Sequence, residues 1–451
     1  MMMRSPISRT SALLALTALV MAPSAWAGSF YIQEQSISGL GAANAGQNAT
    51  GFDASTVYTN PAGMTNLTRS QLSAGGSLLL LGSKIRNDGS SARLPASLGG
   101  STVAINGKNG DDPNSPALVP ATYGVWVVND DVRLGFGVNA PFGLVGKYDE
   151  GFFGRYNSQK SKLETINLSL TGAYKVSPKF SVGGGIDIQR ARAVLTAAVP
   201  AIAGLAGLSA AQSGAYIASV GGVNGLYNTN TDSLFRVDAN GWSVGANLGL
   251  TWKPVDELTV GLTYRSRIKH TVEGDLAIVR GGTTSRSGPA EITVTTPDIV
   301  GLGAAWRVTP KLELLAQANY FHWSNFDKID IKSNGSTFTV EQQDYENSYS
   351  IALGFNYKLT DGIILRAGTQ FDRSPVTNQH RSTRVPDGDR IWLSVGASYD
   401  VTDNISIDAA YAHIFVEDVK INQTSSTGAN TRATMTDGSV DILSMALRYK
   451  F

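Results

Sequence analysis

From residue 71 to the end of the chain, one period organises the sequence. In Tyr349-Ser-Ile351-Ala-Leu353-Gly-Phe355-Asn-Tyr357 every odd position is large and apolar, and every even one is small or polar. The same period of two runs through Trp242/Val244/Ala246/Leu248/Leu250/Trp252. It returns in Ile166–Tyr174, Phe180–Ile188, Leu258–Tyr264, Ile391–Tyr399 and Leu443–Phe451. Alternation sends successive side chains to opposite faces of a sheet. A soluble sandwich would alternate too, but three features select a membrane barrel. The small-polar face is too thin to be a soluble exterior and carries scattered charge (Arg265, Arg267, Arg366, Asp372, Arg448). The apolar set repeatedly ends in an aromatic (Tyr174, Trp252, Tyr264, Tyr357, Tyr399, Tyr449), as an interfacial girdle requires. Connections alternate between tight and long, the pattern of outer-membrane barrels. Lipid tolerates no open sheet edge, so such a sheet must close.

Strands are predicted near 71–86, 119–128, 132–141, 162–176, 179–193, 234–252, 257–270, 291–307, 311–325, 347–358, 362–374, 390–401, 404–418 and 439–451. That is an all-β, fourteen-stranded antiparallel transmembrane barrel over residues 71–451. Tight turns such as Ser177-Pro178-Lys179 and Thr360-Asp361-Gly362 use residues that preset or tolerate turn dihedrals. Long loops are expected at 87–118, 142–161, 194–233, 271–290, 326–346, 375–389 and 419–438, which puts both chain ends on the periplasmic side. A terminal Phe451 suits recognition by barrel-assembly machinery.

Residues 28–70 do not belong to this texture. Gly28–Asn66 is crowded with Gly and Ala and shows neither period. Ordering each residue costs about 1–2 kcal/mol, and so few large apolar groups cannot offset it. The segment is therefore expected inside the barrel, as a plug or hatch. Before it, Met1–Ala27 reads as a secretory signal peptide: Arg4 and Arg9, an apolar run over Ala12–Met21, then Ala25-Trp26-Ala27. The formal charge is +1, and removing those two arginines gives −1, which offers nucleic acid no basic footprint. There is no cysteine, so disulfides and thiolate chemistry are excluded, and the four histidines have no ligand spacing. No cofactor or metal is expected.

Gly241-Trp242-Ser243-Val244-Gly245 matches a nucleophile-elbow pattern, but that motif needs a strand-to-helix turn and here lies within an alternating strand. No acid, base and nucleophile stand together, so an enzyme is not expected. Val194–Val223 is long and apolar yet broken by Pro200 and several glycines. It reads as an outer loop with short helices, its Val194, Leu195, Leu205 and Leu208 forming a landing site for apolar molecules, or simply as a loop packed on its neighbours. Strand 3 ends in Asn139-Ala140-Pro141-Phe142-Gly143. Pro lacks the ladder N–H, so either the strand ends at Ala140 or its wall opens there.

These residues resemble, nearly end to end, the FadL-type long-chain fatty acid transporters of Gram-negative outer membranes. The likeness rests on Gly28-Ser29-Phe30, Ser38-Gly39-Leu40-Gly41, Asn60-Pro61-Ala62, Asn167–Tyr174, Leu262–Ser266, Phe371–Pro375, and Asp387-Gly-Asp-Arg390 with Trp392-Leu-Ser394. It implies a passive outer-membrane uptake channel, plugged by a hatch and needing no energy-coupling partner. Cargo is implied to be caught by outer loops, held in a lumenal pocket near Phe30, and released sideways at the strand-3 kink, Asn139, Pro141, Phe142 and Gly143. Asn60, Pro61 and Ala62 are the implied hatch signature, and Asn60 is expected to hold the hatch against that gap. Long-chain fatty acids are the first cargo expected, neutral aromatic hydrocarbons the second, and a general porin for small polar solutes the alternative class. Where the family places basic head-group residues this chain has Ala197 and Glu341; Arg190, Arg192 or Lys269 are expected to substitute. Membrane lipid and lipopolysaccharide are the expected surroundings of a monomer.

Overall fold

The computed structural model describes residues 29–111, 113 and 116–451, so the signal-peptide reading and Gly28 lie outside the described residues. Fourteen wall strands follow chain order. They are β1 (Gln71–Asn87), β2 (Ala117–Val127), β3 (Val132–Asn139, resuming at Gly143–Lys147), β4 (Lys160–Ser177), β5 (Phe180–Val199) and β6 (Ser233–Val255). Next come β7 (Leu258–Arg265 and Lys269–Arg280), β8 (Thr283–Thr295 and Asp298–Arg307), β9 (Leu312–His322) and β10 (Ser348–Thr360). The last are β11 (Ile363–Asp372), β12 (Arg390–Asp400), β13 (Ile405–Val416) and β14 (Ala429–Lys450). Each pairs antiparallel with the next, and β1 pairs with both β2 and β14 (Gln71↔Val125, Gln71↔Lys450), which closes the barrel.

The period of two decides which face meets lipid. On β6, Trp242, Val244, Leu248 and Trp252 are 65, 63, 60 and 53% exposed, while Asn247 between them is 2% exposed. All six aromatics read as girdle positions are exposed on the outside. An apolar exterior over a polar interior inverts the soluble pattern and suits a hydrocarbon solvent.

The strands run beyond the ranges expected from the sequence. Segments 271–290 and 419–438, expected as loops, are mostly strand: β7 and β8 continue to a turn at Gly281-Gly282, and β14 begins at Ala429. The sequence reading stopped where outward apolar residues stopped, but ladder bonding continues past them because it needs no apolar outward face. Val194 and Leu195 are corrected for the same reason, since both lie on β5, buried, and not in a loop. Beyond β5 the expected short helices do form: 3-10 turns at Ala201–Leu205 and Val223–Tyr227 flank the helix α1 (Ala210–Ser219). Ser209 and Gln212 cap α1 reciprocally.

Ahead of β1, Ser29–Leu67 is almost wholly buried against the inner wall. Its small residues are what allow this. Gly249 and Gly261 face it where a Cβ would collide with Asn60 and with the Asn48 carbonyl, so the wall is glycine where the inner segment approaches closest.

Candidate functional site

The ladder between β2 and β3 ends at the strand-3 break. Pairing of β2 with β3 runs from Val127↔Arg133 to Thr122↔Val138 and stops there. Ala140, Pro141 and Phe142 leave the ladder, and from Gly143 the chain pairs only with β4. Four steps along β3 (Asn139 to Gly143) oppose three along β4 (Asn167 to Glu164), a bulge where Pro141 supplies no N–H. Of the two readings of Pro141, the structure has the strand interrupted and then resumed.

The first residues of the inner segment lie in that gap. Ile32 N donates to Pro141 O at 2.8 Å and Gly143 N to Phe30 O at 2.9 Å. Gln35 Nε2 donates to Ala140 O at 3.1 Å, and Asn139 Nδ2 to Gln35 Oε1 at 2.8 Å. Ile32 packs with Ala140, Val119 and Ala117, closing the side that β2 leaves unpaired. Phe30 points into an aromatic cluster: its ring centroid lies 4.7 Å from Trp323, 5.4 Å from Phe326 and 6.1 Å from Phe142. Aliphatic side chains from β5 to β8, among them Leu195, Val237, Val272 and Ile292, complete that cluster. Val194 and Leu195 thus belong to the wall, and Leu195 lines the lumen.

Asn60 works elsewhere. It is fully buried, its Nδ2 donating to Asn48 O (2.6 Å) and Leu250 O on β6 (3.0 Å), and its Oδ1 accepting from Ala62 N (3.0 Å). Pro61 and Ala62 sit against Gly183 on β5. The Asn-Pro-Ala signature therefore holds the inner segment to β5 and β6, and the expectation that Asn60 faces the strand-3 gap is corrected. Gln35 does that job. A second pin lies nearby: Arg265 pairs with Asp187, donates to Tyr58 O at 2.7 Å and stacks 3.8 Å over the Tyr58 ring. Asp187 also accepts from Ser169, Asn167 and Asn247. Between segment and wall, a cavity of about 40 Å³ is lined by Tyr31, Gln35, Tyr58, Asn247 and Arg265. It has room on the order of two or three waters.

The three basic candidates do not reach the lumen. Arg190 and Arg192 share the outward side of β5 with exposed Ile186, and Arg192 pairs with Asp238 at 2.9 Å. Lys269 is exposed on β7 while its neighbour His270 is buried. A head-group role for any of them inside the barrel is corrected. Of the outer-loop candidates, Leu205 is half buried on a cluster with Leu94, Ile105 and Tyr156, and Leu208 is exposed. That loop layer is fixed by a buried ion pair, Arg155 to Asp232 at 2.9 Å; burial pushes the Asp232 carboxyl up despite its partner. Residues that sequence reading missed are Gln35, Trp323, Phe326 and Tyr345. The aromatic spacing of Trp323 and Phe326, just past a strand, was the signal that could have found the latter two.

A closed barrel with an apolar exterior, an occupied lumen and an interrupted wall strand defines an integral outer-membrane channel. The chain belongs to the outer membrane protein transport protein family (OMPP1/FadL/TodX), whose model matches residues 18–451. It is 32% identical to outer membrane protein P1 of Haemophilus influenzae over 97% of this chain and 98% of that one. It is 30% identical to the long-chain fatty acid transport protein of Salmonella typhi over 92% and 93%. The structure of a Pseudomonas aeruginosa FadL homologue superposes with a TM-score of 0.82 at 25% identity, covering 94% of this chain and all of that one. A monoaromatic hydrocarbon channel, CymD, shares the fold at a TM-score of 0.64 and 17% identity, over 92% of this chain and 97% of that one. The family consists of transport channels for hydrophobic compounds in Gram-negative outer membranes, not enzymes.

Proposed function

We propose that the protein is a passive, ligand-gated channel that takes up hydrophobic compounds, long-chain fatty acids foremost, and releases them sideways between β2 and β3. One observation carries this reading. The same few residues, Phe30 to Gln35, fill both the aromatic cluster and the wall gap. A cargo that takes the place of Phe30 in the cluster pulls on the segment that seals the opening. Sideways release also avoids the aqueous periplasm, which costs about 25 cal/mol per Å² of apolar surface. Leu208 and α1 would offer the first apolar contact, Asn60, Pro61 and Ala62 the fixed end of the hatch, and Asn139, Pro141, Phe142 and Gly143 the exit. Membrane lipid and lipopolysaccharide would surround a monomer, inserted by the barrel-assembly machinery.

Neutral aromatic hydrocarbons are the second reading, favoured by the outward placement of Arg190, Arg192 and Lys269 and by the aromatic character of the Phe30 cluster. An open porin is disfavoured because the lumen is filled.

The test uses the absence of native cysteine. Tyr31 and Phe142 form an isolated antiparallel bridge across the gap, so Tyr31→Cys with Phe142→Cys can be oxidised to tie hatch to wall. Uptake of a labelled fatty acid by cells should fall to background on oxidation and return on reduction. Unchanged uptake by the locked, folded protein would sink the lateral exit.

A further inference from the structure

Towards the long loops, the outward face of β3 to β6 carries a surplus of cations. On the upper parts of these strands the outward charged side chains are Lys147, Lys160, Lys162, Arg190, Arg192 and Arg236, against Glu164 and Asp238. Register makes them one surface. Lys147 stands opposite Lys160, Glu164 opposite Arg192, and Arg190 opposite the exposed Trp242. Glu273 and Asp275 on β7, opposite Asn240 and Asp238, bound the patch on that side.

The two carboxylates of the patch are already engaged. Glu164 takes Lys162 at 2.6 Å, and Asp238 is shared by Arg192 at 2.9 Å and Arg236 at 3.5 Å. Arg190 donates one bond, to Asn240 Oδ1 at 3.1 Å. Lys147 and Lys160 meet no carboxylate among the described residues. Three other outward cations, Lys84, Lys332 and Arg373, are matched one to one with Asp437, Glu291 and Glu346. Like charges gathered beside a low-dielectric layer repel, so the unmatched surplus on β3 to β6 calls for anions from outside the chain.

Depth names the anion. Phe180 follows the tight β4–β5 turn on the periplasmic side, and Arg190 lies ten residue steps further along β5. At about 3.3 Å per residue and a tilt of about 40°, those steps climb about 25 Å, the height of the apolar band. The cations therefore stand level with the phosphates of the outer leaflet. Beneath them Leu170, Ile186, Val244 and Leu248 expose an apolar face to acyl chains. The patch crosses four strands, about 14 Å at the usual strand spacing, which suits a head group with a phosphate at each end better than a single phosphate.

We propose that Lys147, Lys160, Lys162, Arg190, Arg192 and Arg236 form a specific site for the doubly phosphorylated glycolipid of the outer leaflet, lipid A. Its phosphates lie on the cations, where Arg190 and Arg192 present paired N–H donors. Its acyl chains run down the apolar face past Trp242, an indole placed at the interface of chain and sugar. The site is on the outside of the barrel and does not depend on which cargo passes within.

The experiment is native mass spectrometry of the full-length protein in maltoside micelles, titrated with bisphosphorylated lipid A, its monophosphorylated form or phosphatidylglycerol. One bisphosphorylated lipid A should be retained per barrel, about tenfold more tightly than either singly phosphorylated lipid. Excess inorganic phosphate should not displace it, and rising salt should weaken it. The double variant Lys160→Ala with Arg190→Ala strands no carboxylate and should reduce retention at least tenfold. Lys84→Ala with Arg86→Ala, on β1, should leave it unchanged, both variants being checked as folded by heat-modifiable gel migration. Equal retention by the two variants, or phosphatidylglycerol held as tightly as lipid A, overturns the site. So does retention of no lipid, or displacement by phosphate alone.

Discussion

The two ends of the inner segment are held in different ways. From Asn48 to Ala62 it is fixed by buried polar pins: Asn60 bonds on three sides, and Arg265 reaches in from β7 to Tyr58 while paired with Asp187. From Phe30 to Gln35 it is held by a few hydrogen bonds across an interrupted strand and by aromatic packing. Buried charge pairs tolerate little displacement, because separating them leaves a desolvated charge. Ring packing can be replaced by any apolar surface of similar size. On the proposed function, the difference assigns the first end to the scaffold and makes the second the end that cargo would displace.

The strongest way to break this comparison is to remove the gap. Replacing residues 139–143 by alternating Val and Thr should give a folded, heat-modifiable barrel whose fatty-acid uptake falls to background in whole-cell assays. Wild-type uptake would show that the cargo leaves elsewhere. Next, Arg265→Met should cost about 3–5 kcal/mol in the denaturant stability of the hatch region, since Asp187 stays buried without its cation. Asn60→Ala removes three hydrogen bonds and should cost about 2–3 kcal/mol. In planar bilayers it should raise conductance through a loosened hatch, while expressed barrel levels stay unchanged. Phe30→Ala, at the other end, should cost up to about 3 kcal/mol, the low end for a buried Phe→Ala change, and less to the extent that the Trp323 and Phe326 rings close on the space. It should weaken binding of an apolar ligand several-fold by fluorescence titration. Smallest of all, Leu208→Ser should lower the initial uptake rate less than twofold, because Leu208 is a single exposed contact.

The period of two carried a great deal. It placed fourteen strands, their lipid-facing side and the aromatic girdles, because a hydrocarbon solvent enforces side-chain polarity at every second residue. It even held the answer for Arg190 and Arg192, which share the even, outward parity of Ile186 on an unbroken strand. Lys269 was different. Below the interruption at 266–268 the even residues Leu262 and Tyr264 face out, and above it the odd Lys269 and Thr271 do. The interruption shifts the phase by one residue, as happens again in β8 between Thr295 and Asp298, and no local pattern announces such a shift.

The sequence by itself determined the architecture and the place of the break, since Pro141 withholds a donor wherever the strand sits. It also determined that Gly28–Asn66 needed a container. Only the tertiary structure decided which hatch residue meets which part of the wall. Asn60 and Gln35 both offer an amide side chain to a backbone carbonyl, and their chemistry cannot tell β6 from the β3 gap. That choice is made by long-range packing, where Gly249 leaves room for Asn60 and Ile32 fits the unpaired edge of β2. Glu341 gained its partner in the same way, from an arginine 43 residues further along the chain.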